Sequence, residues 1–387
     1  MIRRGDLARS AERPKREGFR GADRRIRGYH RRPNENRRVR VTVDTAVLRR
    51  PHAGTARWVN GLLAALDGIP ALEVGKADGP RRVGNGLLFR PINVALQRWW
   101  YEFGIGHVAR GWGADALLMP AGYAARRGRI PQLVAILDVN YLTQPGTYEP
   151  LFARYASWVA SRSVRDADCL VTISAFSRSE ISRHLKVDPE GISVVYPGLE
   201  PLPEGDFPRP ISAPYALYVG ATERHKNVGV LLDAWAEMRS DLALAIVGQP
   251  GRDHARLSEL AAASGGRVLL TGRVDQADLE AWYRHASIFL FPSLTEGFGY
   301  PPLEAMQRGI PVVAASAGAL PEVLGDAAGY HGPNDPAALV SEIERVLSDD
   351  ALRQDRVRRG REQAAKFTWA RAAVEIVRLL EGMYDRA

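Results

Sequence analysis

The chain has 387 residues, 45% of them hydrophobic, which favours two domains and supplies ample side chain for a core. Its single cysteine, Cys169, excludes a disulfide within the chain and points to a reducing compartment, and no apolar run nears the ~18 residues that span a bilayer. The net charge of +9 suggests a nucleic-acid partner, but residues 1–38 carry 14 Arg or Lys against 5 Asp or Glu, whereas the remainder carries 39 against 39. A neutral body leaves no nucleic-acid footprint. The excess sits in an Arg-rich arm that reads as disordered: a solvated tail or an upstream stretch translated from a misassigned start, or else a contact for anionic lipid or nucleic acid. The N-terminus has no apolar signal segment, so the expected location is cytoplasmic, with the inner membrane face as its boundary.

After the arm, the Val-rich "VRVTVDT" (39–45) predicts a strand, and "GTARWVNGLLAALDG" a glycine turn and a helix. A long helical stretch covers residues 92–112. Strands follow at 114–122 and 131–139, then helix 151–167, strand 169–174, helix 175–185 and strand 192–198. Residues 199–214 hold five prolines, which break helix and central strand alike, and read as an interdomain linker. The second half alternates strand and helix from "ALYVGAT" (216–222) to the helix "DPAALVSEIERVLSD" (335–349). Such alternation means parallel sheets flanked by helices. The expected fold is α/β, with two Rossmann-like domains facing a cleft. Their ligands should meet loops at the carboxyl ends of the strands.

Within "SLTEGFGYPPLEAMQRG" (293–309), Glu296 follows a predicted strand and Glu304 falls in the predicted first turn of the next helix. Gly297 and Gly299 let backbone approach a ligand, and Pro301 and Pro302 suit a helix start. A carboxylate at that end would accept from a neutral diol such as ribose, or merely complement the helix dipole. "ATERHKN" supplies Arg224, His225 and Lys226, and a Lys near a helix start suits a diphosphate. With 48 Arg against 5 Lys, a lysine here is informative. Backbone at Arg273 and Val274, after "RVLLTG", could meet a planar base.

These segments, together with "YVGATERHKN", "LTGRVDQADLEAWYRHA", "VTISAFSRSEI", "VVYPG" and "FTWARAAVEIVRLL" in that family's order, resemble glycosyltransferase family 4, retaining enzymes of the GT-B fold. The resemblance runs from about Val39 to the end, and Glu296 and Glu304 meet the family's Glu-(x)7-Glu motif. It implies that Glu304 binds the ribose of a nucleotide diphosphate sugar and that Glu296 contacts the transferred sugar. Gly297, Phe298 and Gly299 would give backbone contacts around it, and Tyr300 would belong to the donor site. Lys226, with Arg224, His225 and the Gly220 loop, would serve the diphosphate. Gly54 would approach the phosphates from the first domain, and Asp138 joins Lys226 and Glu296 as a catalytic candidate. The acceptor, a glycan or lipid-linked precursor, would enter from the first domain on the leaving-group face, so that configuration is retained. No cofactor or metal is expected.

The resemblance also implies boundaries: an arm at 1–38, an acceptor domain at 39–206, a nucleotide-sugar domain at 207–366, and a helix at 367–387 crossing back. Three positions depart from the family. His225 stands where many relatives have Arg, Leu137 precedes Asp138 where they have His, and the first turn reads Gly54-Thr-Ala56-Arg57-Trp58. A leucine beside the sugar would favour a 6-deoxy donor over one with a 6-hydroxyl, unless Leu137 packs under the sheet. Asp166 and Asp168 read as a solvated turn rather than a metal motif. Trp99 and Trp100 beside Arg98 suit a membrane or acceptor contact, or core. The rival readings are a glycosidase and a sugar-nucleotide-binding protein without catalysis.

Overall fold

The computed structural model describes residues 38–49, 54–84, 86, 89–126, 128, 130–144, 146 and 149–384. The Arg-rich arm, Arg38 apart, lies outside the described residues.

The first half forms one sheet from β1 (Val39–Asp44), β2 (Leu72–Ala77), β3 (Ala116–Met119), β4 (Gln132–Ala135), β5 (Cys169–Thr172) and β6 (Ile192–Val194). Their order is β2-β1-β3-β4-β5-β6, all parallel. Around it run α1 (Gly54–Asp67), α2 (Arg90–Trp99), α3 (Ile105–Trp112), α4 (Asn140–Thr143), α5 (Pro150–Asp166) and α6 (Ala175–Leu185). Residues 195–214 form neither helix nor strand.

The second sheet holds β7 (Tyr215–Val219), β8 (Ala243–Val247), β9 (Val268–Gly272), β10 (Ile288–Phe291), β11 (Val312–Ala315) and β12 (Gly329–His331). Its order is β12-β11-β10-β7-β8-β9, again all parallel. Its helices are α7 (Gly229–Glu237), α8 (His254–Ala262), α9 (Gln276–Arg284), α10 (Tyr300–Gln307), α11 (Leu320–Leu324), α12 (Pro336–Ser348) and α13 (Asp350–Ala364), followed by α14 (Trp369–Tyr384). Every residue of β3, β4, β8, β10 and β11 is buried, as strands between two helix layers require; all are apolar except Gln132, whose amide bonds the Ala125 backbone.

Three sequence expectations need correction. β2, "LEVGKA", was not anticipated, because its Glu, Gly and Lys break the apolar run that marks a buried strand. It is an edge strand, and only Leu72 and Ala77 are buried. The helix expected over residues 92–112 is interrupted by a π turn at Trp100–Gly104. That turn lets two adjacent aromatics share one acceptor: Trp100 Nε1 and Tyr101 OH donate to the buried Asp44 carboxylate at 3.2 and 2.9 Å. Trp100 is therefore core, while Trp99 is 54% exposed. Finally, α10 begins at Tyr300, after Gly299 in the left-handed region at φ 97°. Glu304 is thus its fifth residue and lies beyond the first turn, where a dipole partner would sit.

α14 packs on α1. A side chain at Gly61 would overlap the Trp369 ring, its Cβ only 2.0 Å from Cε2, so the glycine makes the slot that receives this tryptophan. Trp369 also lies 6.0 Å from Trp58, and Trp369 Nε1 donates to Glu200 at 2.9 Å. The chain's end is thereby tied to the first half.

Candidate active site

In each sheet the chain order reverses once, between β1 and β3 and between β7 and β10. A parallel sheet opens a crevice at such a reversal, beyond the carboxyl ends of the two strands. In the second sheet this places the loop after β7 beside the loop after β10. They are clipped by the backbone bond from Leu294 N to His225 O, 2.9 Å. Arg224, His225 and Lys226 form a 3-10 turn ahead of α7, which starts at Gly229 rather than beside Lys226 as expected. Within the turn Arg224 is exposed, whereas Lys226 points inward and donates to Glu296 Oε1 at 2.5 Å. Lys226 and Glu296 are 20% and 14% exposed, so water screens the pair only partly. His225 is half-buried, and burial with the neighbouring Lys226 charge holds its imidazole below the ordinary value.

The Glu296 loop is braced from behind. Ala319 N donates to Glu296 O at 3.0 Å. Gly318, at φ 59°, lies so close that a Cβ would stand 2.6 Å from Glu296 N. Phe298 is buried against Tyr300 and Phe367, ring centroids 5.1 and 5.4 Å away, and this anchors the turn between the two site glycines.

Glu304 has both oxygens engaged. Arg57 Nη1, from the first turn of α1, donates to Oε1 at 2.5 Å, and Tyr283 OH donates to Oε2 at 3.0 Å. The Arg57 guanidinium lies over the Tyr300 ring, 4.2 Å from its centroid. Gly54 opens α1, and a Cβ there would meet no heavy atom of the described residues within 4 Å.

Asp138 follows β4 and faces the same turn from the first half. A Cβ on Gly297 would lie 3.3 Å from both Asp138 Cβ and Ser177 Oγ. Burial pushes the Asp138 carboxyl up, and Glu296 adds to that, against the Asn140 N–H and Lys226. Leu137 is half-buried, and its side chain packs against the core. Below this contact, Glu322 of α11 caps α6 across the cleft. It accepts from Ala175 N at 2.7 Å, Phe176 N at 2.8 Å and Tyr196 OH at 2.7 Å.

The fold thus gathers Lys226, Glu296, Gly297, Gly299, Tyr300, Glu304 and Asp138. Gly220 follows β7, and its carbonyl oxygen lies 2.0 Å from where a Gly248 Cβ would stand. Arg273 and Val274 follow β9, three strands from β10. Sequence reasoning missed the contributions of Arg57, Ser177, Tyr283, Gly318 and Glu322. Only Arg57 carried a signal, as a cation in the first turn after a strand. Asp166 accepts from Arg162 Nε at 3.1 Å and Asp168 from Gln132 N at 2.9 Å, so both aspartates brace the first half. Among the described residues no three His, Cys, Asp or Glu gather as a metal site. A surface hollow lined by Ser287, Gly309, Pro311 and Arg361 lies at the amino ends of β10 and β11, the opposite side from the cleft.

Comparison with known proteins agrees with this geometry. Residues 30–201 match the model of Glycosyltransferase Family 4, and residues 206–363 that of Glycosyl transferases group 1. The O-antigen chain mannosyltransferase B of Escherichia coli is 33% identical over 256 residues, covering 62% of this chain and 67% of that protein. The D-inositol 3-phosphate glycosyltransferase of Streptomyces coelicolor is 33% identical over 253 residues, 54% of each chain. The chain therefore spans about two thirds of the first relative and about half of the second. Among solved structures, the sucrose-phosphate synthase of Thermosynechococcus elongatus superimposes with a TM-score of 0.71 at 19% identity, covering 90% of this chain and all of that one. The Anabaena HepE complex with UDP and glucose gives 0.64 at 16% identity, covering 89% of this chain and all of that one. With two parallel six-stranded sheets, the ordered motifs and these relatives, the chain belongs to glycosyltransferase family 4 and has the GT-B fold.

Proposed function

We propose that this chain is a retaining, metal-independent transferase that moves a hexose or 6-deoxyhexose from a nucleoside diphosphate sugar to a glycan or lipid-linked acceptor. Cell-surface polysaccharide synthesis is the setting that an O-antigen mannosyltransferase among its relatives suggests. The observation that carries the reading is the Lys226–Glu296 pair at the β7/β10 reversal, with Glu304 eight residues on.

Each group has a role that follows from its chemistry. The leaving diphosphate gains negative charge, which the Lys226 ammonium offsets. Glu296 and Asp138, facing each other across Gly297, accept from hydroxyls of the transferred sugar. Glu304 accepts from the ribose. A glycosidase would have no use for Lys226, and a binding protein without catalysis would hold the donor but release no free nucleotide from it.

Incubation with a panel of nucleotide sugars, reading release of free nucleotide, tests the activity. If none is turned over with any acceptor extract, the proposal fails. Competition between a hexose nucleotide and its 6-deoxy counterpart decides the sugar. Glu304→Gln is expected to weaken donor binding by ~1.5–3 kcal/mol, the range for hydrogen bonds to a charged group, with the fold intact. Calorimetric titration measures it, and an unchanged dissociation constant would remove Glu304 from the ribose site.

Among the described residues no helix is long and apolar enough to cross a membrane. For a lipid-linked acceptor we infer a peripheral contact through the first half. Trp99, Phe103, Phe152 and Trp158 are each about half exposed, and Leu151 is 79% exposed. Arg98 lies 5.6 Å from the Trp158 ring and Arg126 5.9 Å from that of Phe103. Aromatic rings beside arginines suit the boundary of an anionic leaflet. Replacing Trp99, Phe103 and Trp158 together by serine should lower binding to phosphatidylglycerol vesicles by about tenfold or more, since each inserted ring is worth on the order of 1–2 kcal/mol. Sedimentation with vesicles measures this, and equal binding would dismiss the patch.

A further inference from the structure

The Arg57–Glu304 pair joins residues 247 positions apart, one on the first turn of α1 and the other on α10. It crosses the cleft at the carboxylate read as the ribose acceptor. Arg57 Nη1 donates to one Glu304 oxygen and Tyr283 OH to the other, so each oxygen already accepts a bond. The side chains are 27% and 18% exposed, which makes the contact reachable from the cleft and only partly screened. Lys226 shows the same pattern on Glu296. Two cations suited to phosphate thus stand on two carboxylates suited to hydroxyls.

Such pairing keeps the charges compensated, because a carboxylate or guanidinium left alone in a half-buried site is costly. A diphosphate offers a guanidinium more than a carboxylate can: greater charge and several oxygens matched to its planar fork. A Cβ at Gly54 would meet no heavy atom of the described residues within 4 Å, and α1 starts on the side of the sheet where β1 has its carboxyl end. Tyr300, 4.2 Å beneath the guanidinium, gives Arg57 a flat surface on which to turn. Its hydroxyl is buried without a hydrogen-bond partner among the described residues.

Resting on the reading of the cleft as a donor site, we propose that Arg57 is a diphosphate ligand parked on Glu304. When a nucleoside diphosphate enters, the guanidinium moves from the Glu304 carboxylate to the phosphate oxygens, and the freed oxygen accepts from the ribose. The exchange is one of hydrogen bonds only, and it reverses when the diphosphate departs. Arg57 thereby couples occupation of the phosphate site to readiness of the ribose site.

Full-length wild type, Arg57→Gln and Arg57→Lys are titrated with GDP, UDP and ADP by calorimetry, and with the matching nucleosides by ligand-observed NMR. The diphosphate that wild type binds should bind Arg57→Gln about thirtyfold more weakly, as loss of a charged hydrogen bond predicts. Nucleoside binding should hold or tighten, because Glu304 is no longer occupied. Arg57→Lys should recover part of the diphosphate affinity and folds wherever a bare loss of charge is the obstacle. A static brace for Glu304 would instead weaken nucleoside and diphosphate alike, and that result overturns the proposal, as does unchanged diphosphate binding. If wild type binds none of the diphosphates, the donor-site reading itself fails and this proposal with it.

Discussion

Lys226→Ala is expected to lower turnover by roughly a hundredfold, the scale seen when one group facing developing charge is removed. The ammonium is well placed for this. It points inward from a 3-10 turn, rests on Glu296 at 2.5 Å, and lies 5.7 Å from the Phe291 ring centroid. Charge on a diphosphate grows as the sugar departs, so the loss should appear in kcat at saturating donor more than in KM. Lys226→Arg should recover part of the rate, because charge is kept while reach and shape change. Turnover of Lys226→Ala within twofold of wild type would assign the task to another cation. Arg57 would come first, since it already faces the cleft, and the exposed Arg224 second.

Glu280→Ala should destabilise the fold by about 3–5 kcal/mol, the cost of stranding a buried charge. Glu280 is 1% exposed and accepts from Arg284 Nε at 2.7 Å and from Arg308 Nε at 3.0 Å. Arg308, itself 9% exposed, would lose its carboxylate partner there and be left as a nearly buried charge. Burial alone would raise the Glu280 carboxyl, but Arg308 and Arg284 outweigh it and hold the group below the usual carboxylate range. A depressed folded pKa means that this stability is present above the unfolded value of about 4.3 and is lost as pH falls through the folded one. The stability of wild type should therefore fall below about pH 4 more steeply than that of Glu280→Gln. Urea titration across that range reads both effects. The damage should also reach the site, because Arg308 donates to Glu304 O at 2.9 Å and lies over the Tyr283 ring at 4.7 Å. A Glu280→Ala protein as stable as wild type would show that the cluster is solvated in the folded state.

Much of this protein follows from local sequence. Short apolar runs such as "ALLM", "IFLF" and "VVAA", bounded by turn residues, read as strands buried on both faces, and their alternation with amphipathic helices points to parallel sheets. The glycines and prolines around Glu296 and Glu304 mark a turn and a helix start, because backbone freedom and a missing N–H are local properties. The half-buried strand β2 escaped notice because an edge strand needs no continuous apolar run. So did the π turn at Trp100, since its cause is the buried Asp44 on another element. Tertiary structure alone decided who meets whom across the cleft. Nothing near Arg57 in sequence announces Glu304, and nothing near Glu322 announces the first turn of α6. Hydrogen bonds and ion pairs are settled by distance in space, and in a parallel sheet that distance is set by strand order. The reversal between β7 and β10 brings Lys226 to Glu296 across 70 residues, a partnership that periodicity, composition and propensity do not encode.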